Sequence, residues 1–234
     1  MANTTSYTAK RAQLETYFDK TASEAWAKLT SDAPVSGIRA TVRAGRDAMR
    51  DYLLEGLPED LSGQTVLDAG CGPGQLSIAL AARGANVTAV DLSATLLELA
   101  RERIKTFTLP GTINFHVGDF SDEHLGEFDH FVAMDSLIHY EGADILGIVD
   151  TIIPRIKKSL QFTIAPRTPL LSAMHSVGKL FPQSDRAPQI APTNSNQLLR
   201  ELTSIHLGTT WQPSPIKRVS SGFYICDAIR MVRT

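Results

Sequence analysis

The segment from Val66 to Ser93, VLDAGCGPGQLSIALAARGANVTAVDLS, constrains the fold more than any other part of the chain. A short apolar run typical of a buried strand precedes three glycines at alternate positions, and a helix-like stretch and a second apolar run follow. Glycine permits positive φ angles and close approach of the main chain to a ligand, and a helix start favours negative groups. This order predicts a βαβ unit whose first turn binds a nucleotide-bearing ligand.

The alternation of strand and helix continues to about residue 165. Strands are predicted over 65–69, 86–91, 113–117, 128–134 and 160–165, and helices over 75–83, 94–107 and 144–157. Short connections between such elements are typical of a parallel sheet that helices cover on both faces. We therefore predict an α/β fold, Rossmann-like, with a mostly parallel doubly wound sheet.

The segments that flank this core differ from it. Apolar side chains recur at helical spacing before residue 60, whereas residues 166–192 contain five prolines, which argue against a sheet strand. The end of the chain predicts a helix and a closing β-hairpin. We predict an N-terminal helical cap segment over 1–60, a ligand-binding core over 61–165, a lid or cap insertion with a short helix near 169–180 over 166–192, and a C-terminal helix and hairpin over 193–234.

Composition excludes several classes of protein. The 234 residues are 43% hydrophobic and 21% charged, with a net charge of -2 and no long block of like charge, so nucleic-acid binding is not indicated. Cys71 and Cys226 form no metal-ligand cluster, and we predict no metal bound by the protein. Without a spanning apolar run or a secretory signal we expect a cytoplasmic protein, and peripheral contact with a membrane is left open.

The glycine spacing favours one class of ligand. It is G-x-G-x-G rather than the G-x-G-x-x-G of dinucleotide sites, and Asp68 lies two residues before Gly70. An acid here suits a cationic ligand better than a pyrophosphate. S-adenosylmethionine has a sulfonium, an ammonium and a carboxylate but no phosphate, so we favour it as the cofactor. A nicotinamide cofactor and a tight turn without a ligand are the alternatives.

Residues that end the neighbouring strands extend this predicted site. Asp91 ends the second strand, where a carboxylate can accept hydrogen bonds from ribose hydroxyls. Asp119 ends the third strand and can bond to the adenine amino group, with Phe120 beside the ring. Asp135 and Ser136 follow the fourth strand, and we expect them to line the methionine end of the cofactor. The predicted cofactor-binding residues are Asp68, Gly70, Gly72, Gly74, Asp91, Leu92, Asp119, Phe120, Asp135 and Ser136.

The pattern over 60–165 resembles the class I methyltransferases, which implies that the C-terminal hairpin is an antiparallel addition to the sheet. Segments outside the core make the resemblance more specific. VSGIRATVRAGRDAMRDYLL, DHFVAMDSLIHY and FTIAPRTPLLSAMHSVGKLFPQSDRAP are together similar to the magnesium-protoporphyrin IX O-methyltransferases of the bacteriochlorophyll branch. The resemblance covers nearly the whole chain. It implies methylation of one propionate carboxylate of magnesium protoporphyrin IX in bacteriochlorophyll biosynthesis.

An enzyme for this step needs positioning and exclusion of water more than a general base, because a carboxylate is already ionised at neutral pH. The resemblance places Tyr17 and His139 at functional positions as catalytic residues that orient the acceptor. Whether His139 also acts as a base stays open, and a structural histidine is the alternative. Eight apolar or aromatic residues are candidate walls of a slot for the macrocycle, and the alternative is that they are ordinary core residues. They are Tyr17, Phe18, Trp26, Leu170, Met174, Val177, Leu180 and Phe181.

A stripe of four arginines at helical spacing accompanies the N-terminal apolar residues. Its guanidinium groups can pair with propionates or with an acidic partner, but a solvated basic face is the favoured interpretation. The stripe consists of Arg39, Arg43, Arg46 and Arg50.

The resemblance also implies a partner protein, and two other functions remain as alternatives to the methylation of a porphyrin. The large porphyrin-binding subunit of magnesium chelatase is expected to deliver the substrate, and the membrane in question is the photosynthetic membrane. The rivals are a methyltransferase that acts on a quinone or phenol and a non-catalytic porphyrin carrier. A dehydrogenase is a more distant alternative.

Overall fold

The structure, a computed structural model, describes residues 4–20, 37–168, 190–205 and 210–234. The helices are α1 Thr4–Lys20, α2 Gly37–Glu55, α3 Gln75–Ala82, α4 Ala94–Ile104, α5 Gly142–Ile152 and α6 Ser195–Ile205. The strands are β1 Thr65–Ala69, β2 Asn86–Asp91, β3 Thr112–Val117, β4 Phe128–Ala133, β5 Ile156–Ile164, β6 Trp211–Pro213, β7 Lys217–Ser221 and β8 Tyr224–Arg233.

The strands form one mixed sheet in the order β3-β2-β1-β4-β5-β8-β6, with β7 also paired to β8. The five strands from β3 to β5 are parallel, and β8 runs antiparallel to β5, β6 and β7. Successive strands leave β1 first toward β3 and then, from β4 on, in the other direction. The order therefore reverses between β1 and β4, which is where ligands bind in open α/β sheets.

Apolar side chains cover both faces of this sheet. On one face Phe131, Phe162 and Ile145 belong to a cluster that also includes Leu14 of α1 and Leu198 of α6. On the other face a second cluster joins α2 and α3 to the strands, and its fully buried members include Met49, Leu53, Leu80 and Val87. Burial on both faces explains why the central strands are continuous apolar runs rather than alternating ones.

Local signals set the ends of the helices around the pocket. Gly74 precedes α3 with a φ angle of 77°, a conformation that glycine adopts without steric penalty. Ser93 caps α4, because its side-chain oxygen accepts a hydrogen bond from the amide of Leu96 at 3.2 Å. Both caps follow strands that end at the same edge of the sheet.

The predicted elements agree with the structure to within a few residues, with one clear error. The strands predicted over 65–69 and 86–91 are confirmed at both ends, and so is the closing hairpin. The helix predicted over 144–157 is wrong at its end, because α5 stops at Ile152 and β5 starts at Ile156. Pro154 lies in the 3-10 turn between them and cannot continue the helix. The helix predicted near 169–180 lies outside the described residues.

Close contact between α2 and β8 depends on a glycine in the middle of α2. Gly45 is buried, and a Cβ atom on it would lie 2.6 Å from Cδ1 of Tyr224. The two elements therefore pack at a distance that only glycine permits. The hydroxyl of the same Tyr224 reaches Asp135, so this packing also bears on the pocket described below.

We expect Gly45→Ala to destabilise the protein by about 1–3 kcal/mol, because the new methyl group overlaps the Tyr224 ring. Helix propensity alone would make the same change favourable by about 1 kcal/mol. Gly37→Ala on the same helix is the control, since nothing lies within 4 Å of its added Cβ. Urea denaturation measures both variants, and equal stability of the two would contradict this account of the packing.

Candidate functional site

The carboxyl ends of β1, β2 and β4 open into a pocket of about 930 Å³, counting its part open to solvent. The glycine loop forms its floor, and residues that follow β2, β3 and β4 form its sides. Helices α1 to α4 contribute the remaining walls. The pocket lies at the reversal of strand order, where the sequence predicts the cofactor site.

The three loop glycines have different tasks. All have positive φ angles, 71° at Gly70, 53° at Gly72 and 77° at Gly74. A Cβ on Gly70 would overlap the side chain of Ser136, so this glycine lets the loop after β4 approach. An added Cβ on Gly72 would meet nothing within 4 Å, which leaves its main chain accessible to a ligand. Gly70 and Gly72 line the pocket, whereas Gly74 does not and instead starts α3.

Asp91 joins the glycine loop to the end of β2. Its Oδ2 accepts a hydrogen bond from the amide of Gly72 at 2.7 Å, and its Oδ1 accepts one from the amide of Ser93 at 2.9 Å. Burial raises the pKa of Asp91 despite these amide hydrogen bonds. Asp91 and Leu92 both line the pocket, so a ligand there meets a carboxylate that the loop already orients.

Asp68 is the second buried carboxylate of the pocket. It is 1% exposed, and its Oδ2 accepts a hydrogen bond from the Ser77 hydroxyl at 2.6 Å. Burial raises the pKa of Asp68 to about 7, with a smaller contribution from the nearby charge of Asp91. A cation in the pocket would favour the ionised form of this carboxyl.

The carboxylate of Asp119 contacts α1 in this structure, and its predicted role in binding adenine stays a prediction. It does not line the pocket, and its Oδ1 and Oδ2 accept hydrogen bonds from Tyr7 and Arg11 of α1, each at 2.7 Å. Burial raises the pKa of Asp119, but hydrogen bonds from Ser121, Tyr7 and Arg11 outweigh it, and the pKa lies below its ordinary value. Phe120 does line the pocket, so only one member of this predicted pair faces it.

One face of α1 closes the pocket on the side of β3 and β4. Tyr7, Arg11, Leu14 and Phe18 lie at helical spacing, and the last two line the pocket. The Phe18 ring lies 5.8 Å from the ring of His139. Phe18 was predicted as a wall of the site, whereas Tyr7, Arg11 and Leu14 were not predicted to lie near it. Their spacing along one face of a helix could have indicated this.

The two predicted catalytic residues differ in position. His139 is 6% exposed, lies in a 3-10 turn after β4 and lines the pocket. Tyr17 does not line it; its ring packs edge-on against Phe18 with the centroids 5.2 Å apart. Burial raises the pKa of Tyr17, so its hydroxyl is protonated at neutral pH and can donate a hydrogen bond.

Asp135 and Ser136 lie in the pocket as predicted, and both are firmly held. Asp135 has a φ angle of 57°, which is rare for a residue other than glycine. Its amide donates to the Thr163 hydroxyl at 2.7 Å, and its Oδ1 accepts from Tyr224 at 2.9 Å. The Ser136 hydroxyl donates to the carbonyl oxygen of Ala69 at 2.8 Å, which ties the loop after β4 to the end of β1.

The interpretation of the arginine stripe as a solvated face is wrong for two of its members. Arg46 and Arg50 line the pocket, with side chains 15% and 20% exposed. Nη1 of Arg46 lies 2.8 Å from Oδ2 of Asp135, and Nη2 of Arg50 lies 2.9 Å from Oδ1 of Asp47. Burial of Met49 and Leu53 orients α2 and turns this part of the stripe inward.

Three further expectations concern a metal site, a membrane-spanning helix and the walls of the predicted slot. Within the described ranges, no three His, Cys, Asp or Glu side chains lie close enough together to bind a metal ion. No helix in those same ranges has the length and apolar character that crossing a membrane requires. The predicted slot residues Trp26, Leu170, Met174, Val177, Leu180 and Phe181 lie outside the described residues.

Comparisons with known proteins match this pocket and its surroundings. The family profile "Magnesium-protoporphyrin IX methyltransferase C-terminus" matches residues 133–233, and a general methyltransferase domain matches 66–158. Magnesium-protoporphyrin O-methyltransferase of Rhodobacter capsulatus is 45% identical over 224 residues, which are 95% of this chain and 96% of that protein. The chain belongs to the magnesium-protoporphyrin O-methyltransferase family. This confirms the resemblance predicted from the sequence.

More distant members of the family agree. The chloroplastic magnesium protoporphyrin IX methyltransferase of Arabidopsis thaliana is 30% identical over 92% of this chain and 69% of that protein. The crystal structure of magnesium protoporphyrin IX methyltransferase from Synechocystis PCC 6803 with bound SAH matches with a TM-score of 0.80 at 23% identity, over 96% of this chain and 100% of that one. The match confirms the predicted class I methyltransferase fold.

We expect Asp68→Asn to change how the stability of the ligand-free protein depends on pH. Since the folded pKa of Asp68 lies above its unfolded value, its contribution to stability is fully present below about pH 4 and is lost as pH rises to about 7. The free energy of unfolding of the wild type should therefore fall relative to that of the variant, by at most about 1.4 kcal/mol per pH unit. Urea denaturation between pH 4 and 8 measures this difference, and a difference that does not change with pH would contradict the buried state of Asp68.

Proposed function

We propose that this chain transfers a methyl group from S-adenosylmethionine to a propionate carboxylate of magnesium protoporphyrin IX and produces the monomethyl ester and S-adenosylhomocysteine. The similarity to the Rhodobacter capsulatus protein carries this proposal, because it spans 95% of the chain. It thus includes α1 and α2, which supply walls of the pocket, as well as the common methyltransferase core. The matches to ubiquinone biosynthesis O-methyltransferases are local, for example 42% identity over 34% of the chain.

The pocket fits the proposed cofactor in several respects. The space beside Gly72 admits a ligand to the main chain, and the oriented carboxylate of Asp91 can accept hydrogen bonds from ribose hydroxyls. Phe120 offers an apolar surface to the adenine ring. Asp68 and Asp135 place negative charge where a sulfonium and an ammonium can use it. When bound, S-adenosylmethionine supplies an electrophilic methyl group on positively charged sulfur.

The chain's own residues then have to place the acceptor carboxylate and keep water out. A carboxylate oxygen is a competent nucleophile at neutral pH, so no residue has to remove a proton from it. Leu14, Phe18 and Tyr140 line the pocket together with the buried His139, and their apolar surface helps to keep water from the site of transfer. We assign to His139, which lines the pocket, a hydrogen bond that orients the acceptor. For the hydroxyl of Tyr17, which lies beside Phe18 and does not line the pocket, the same role follows from the family resemblance alone.

Delivery of the substrate by the large porphyrin-binding subunit of magnesium chelatase stays a prediction, and so does contact with the photosynthetic membrane. Both follow from the family resemblance. Co-sedimentation of the purified chain with that subunit, with and without bound magnesium protoporphyrin IX, tests the first. Flotation with anionic lipid vesicles tests the second.

The proposed reaction is tested by methyl transfer from labelled S-adenosylmethionine to magnesium protoporphyrin IX, with metal-free protoporphyrin in parallel. The expected product carries the label as an ester that alkali hydrolyses. A quinone or phenol acceptor would instead give an alkali-stable ether. Tight binding of S-adenosylmethionine and of the porphyrin without release of S-adenosylhomocysteine would contradict the proposal and identify a carrier.

We expect His139→Asn to lower kcat by about ten- to a thousandfold, the range lost when an orienting contact in the transition state is removed. Its pH profile should keep the shape of the wild-type profile, because a carboxylate acceptor needs no base. Tyr17→Phe should also lower kcat, while neither variant weakens binding of S-adenosylhomocysteine. Steady-state kinetics from pH 6 to 9 decide this. If wild-type activity fell at low pH and His139→Asn lacked that fall, His139 would instead act as a general base.

A further inference from the structure

We propose that Arg46 binds the acceptor carboxylate that becomes methylated, through the oxygen that does not attack the methyl group. This inference rests on the proposed function. Arg46 lines the pocket, and its Nη1 lies 2.8 Å from Oδ2 of Asp135, two residues beyond the end of β4. His139 follows in the same loop and lines the same pocket. Arg46 is thereby placed beside the methionine end of the cofactor and the loop of His139, where the methyl group would be transferred, rather than at the ribose end, which Asp91 marks.

The balance of charge in the pocket calls for a cation at this position. Among the described residues that line it, the carboxylates are Asp68, Asp91 and Asp135, and the guanidinium groups are Arg46 and Arg50. The proposed reaction adds two carboxylates, one on the cofactor and one on the acceptor. A buried carboxylate without a counter-charge is strongly disfavoured, and a guanidinium fork matches its geometry. The sulfonium and the ammonium of the cofactor would offset Asp68 and Asp135, so the acceptor carboxylate is left to a guanidinium group of α2.

The ion pair between Arg46 and Asp135 has the properties of a contact that can be rearranged. Oδ2 of Asp135 makes no well-aligned hydrogen bond with any described residue, although Nη1 of Arg46 is close to it. Asp135 is held independently of Arg46, through its amide on Thr163 and its Oδ1 on Tyr224. Asp135 can therefore stay in place while the guanidinium group turns toward an incoming carboxylate and remains near enough to neutralise Asp135.

The reaction itself would remove the reason for this contact. One carboxylate oxygen forms a bond to the methyl carbon as the bond from that carbon to sulfur breaks, and the electron pair of the broken bond stays on sulfur. The carboxylate and the sulfonium thus lose their charges together. A neutral ester accepts a weaker hydrogen bond from a guanidinium than a carboxylate does. Arg46 would then favour Asp135 again, which promotes release of the ester.

The test compares the binding of three porphyrins at saturating S-adenosylhomocysteine, by quenching of protein fluorescence. They are magnesium protoporphyrin IX, its monomethyl ester product and its dimethyl ester. Wild-type protein should bind the diacid about tenfold or more tightly than the monomethyl ester, the effect of one charge-assisted hydrogen bond. Arg46→Gln should weaken binding of the diacid to about that of the monomethyl ester, and Arg46→Lys, which keeps the charge but not the planar fork, should weaken it less. Neither should change binding of the dimethyl ester.

The controls separate binding from folding. Arg39→Gln removes an exposed arginine of the same stripe and should leave all three affinities unchanged. Arg46→Gln leaves the buried charge of Asp135 without its partner, whereas Arg46→Lys keeps a cation beside it, so the folding of Arg46→Gln needs its own check. Its affinity for S-adenosylhomocysteine and its melting temperature show whether it folds.

Two outcomes would overturn the assignment of Arg46. Unchanged affinities in Arg46→Gln would do so, and so would an equal loss for the diacid and the monomethyl ester, which would place Arg46 on the other propionate. Failure of the proposed function has a different signature. In that case the wild type itself would neither distinguish the diacid from its esters nor transfer a methyl group.

Discussion

The site depends on one contact above all, the hydrogen bond from the amide of Gly72 to Oδ2 of Asp91. Asp91 ends β2 and Gly72 lies in the loop after β1, so this bond fixes two neighbouring strand ends relative to each other. The loop can adopt that position because glycines at 70 and 72 tolerate positive φ angles. Ser136 then packs against Gly70 and closes the same edge from the side of β4. The Asp91 carboxylate, the accessible main chain at Gly72 and the loop after β4 thus meet at one edge of the sheet.

Electrostatics give the site its chemical character. Buried carboxylates dominate the part of the pocket near the glycine loop, and burial raises the pKa values of Asp68 and Asp91. A cationic ligand relieves this unfavourable concentration of negative charge, whereas a pyrophosphate would increase it. The guanidinium groups of Arg46 and Arg50 lie on α2, on another wall. A zwitterionic sulfonium ligand and an anionic acceptor match this separation of charge.

Much of the fold could be predicted from the sequence because local signals and burial agree. The central strands are apolar runs of the right length, and glycines or a capping serine mark the start of the helices that follow β1 and β2. Asp68, Asp91 and Asp135 could be placed because each ends or follows a parallel strand, and those ends share one edge. The end of α5 was misjudged because the exposed Lys157 and Lys158 conceal the start of β5.

The other differences between expectation and structure concern long-range contacts, which no local pattern specifies. Asp119 was assigned to the cofactor from its place after β3, but Tyr7 and Arg11 of a helix more than 100 positions earlier occupy its carboxylate. Arg46 was taken for a surface residue because its partner, Asp135, lies on a distant loop. A stripe of charged residues beside an apolar stripe indicates a helix, but only tertiary packing decides whether that stripe faces solvent or a pocket.

The most direct test of this account is the affinity of Asp91→Asn for S-adenosylhomocysteine, measured by calorimetry beside wild type. The account predicts a loss of about ten- to a hundredfold, since one or more hydrogen bonds to a charged acceptor are weakened. Asp60→Asn, which removes an exposed carboxylate that does not line the pocket, should bind like wild type. Unchanged affinity in Asp91→Asn would contradict the account, because the edge of the sheet between β1 and β2 would then not hold the cofactor.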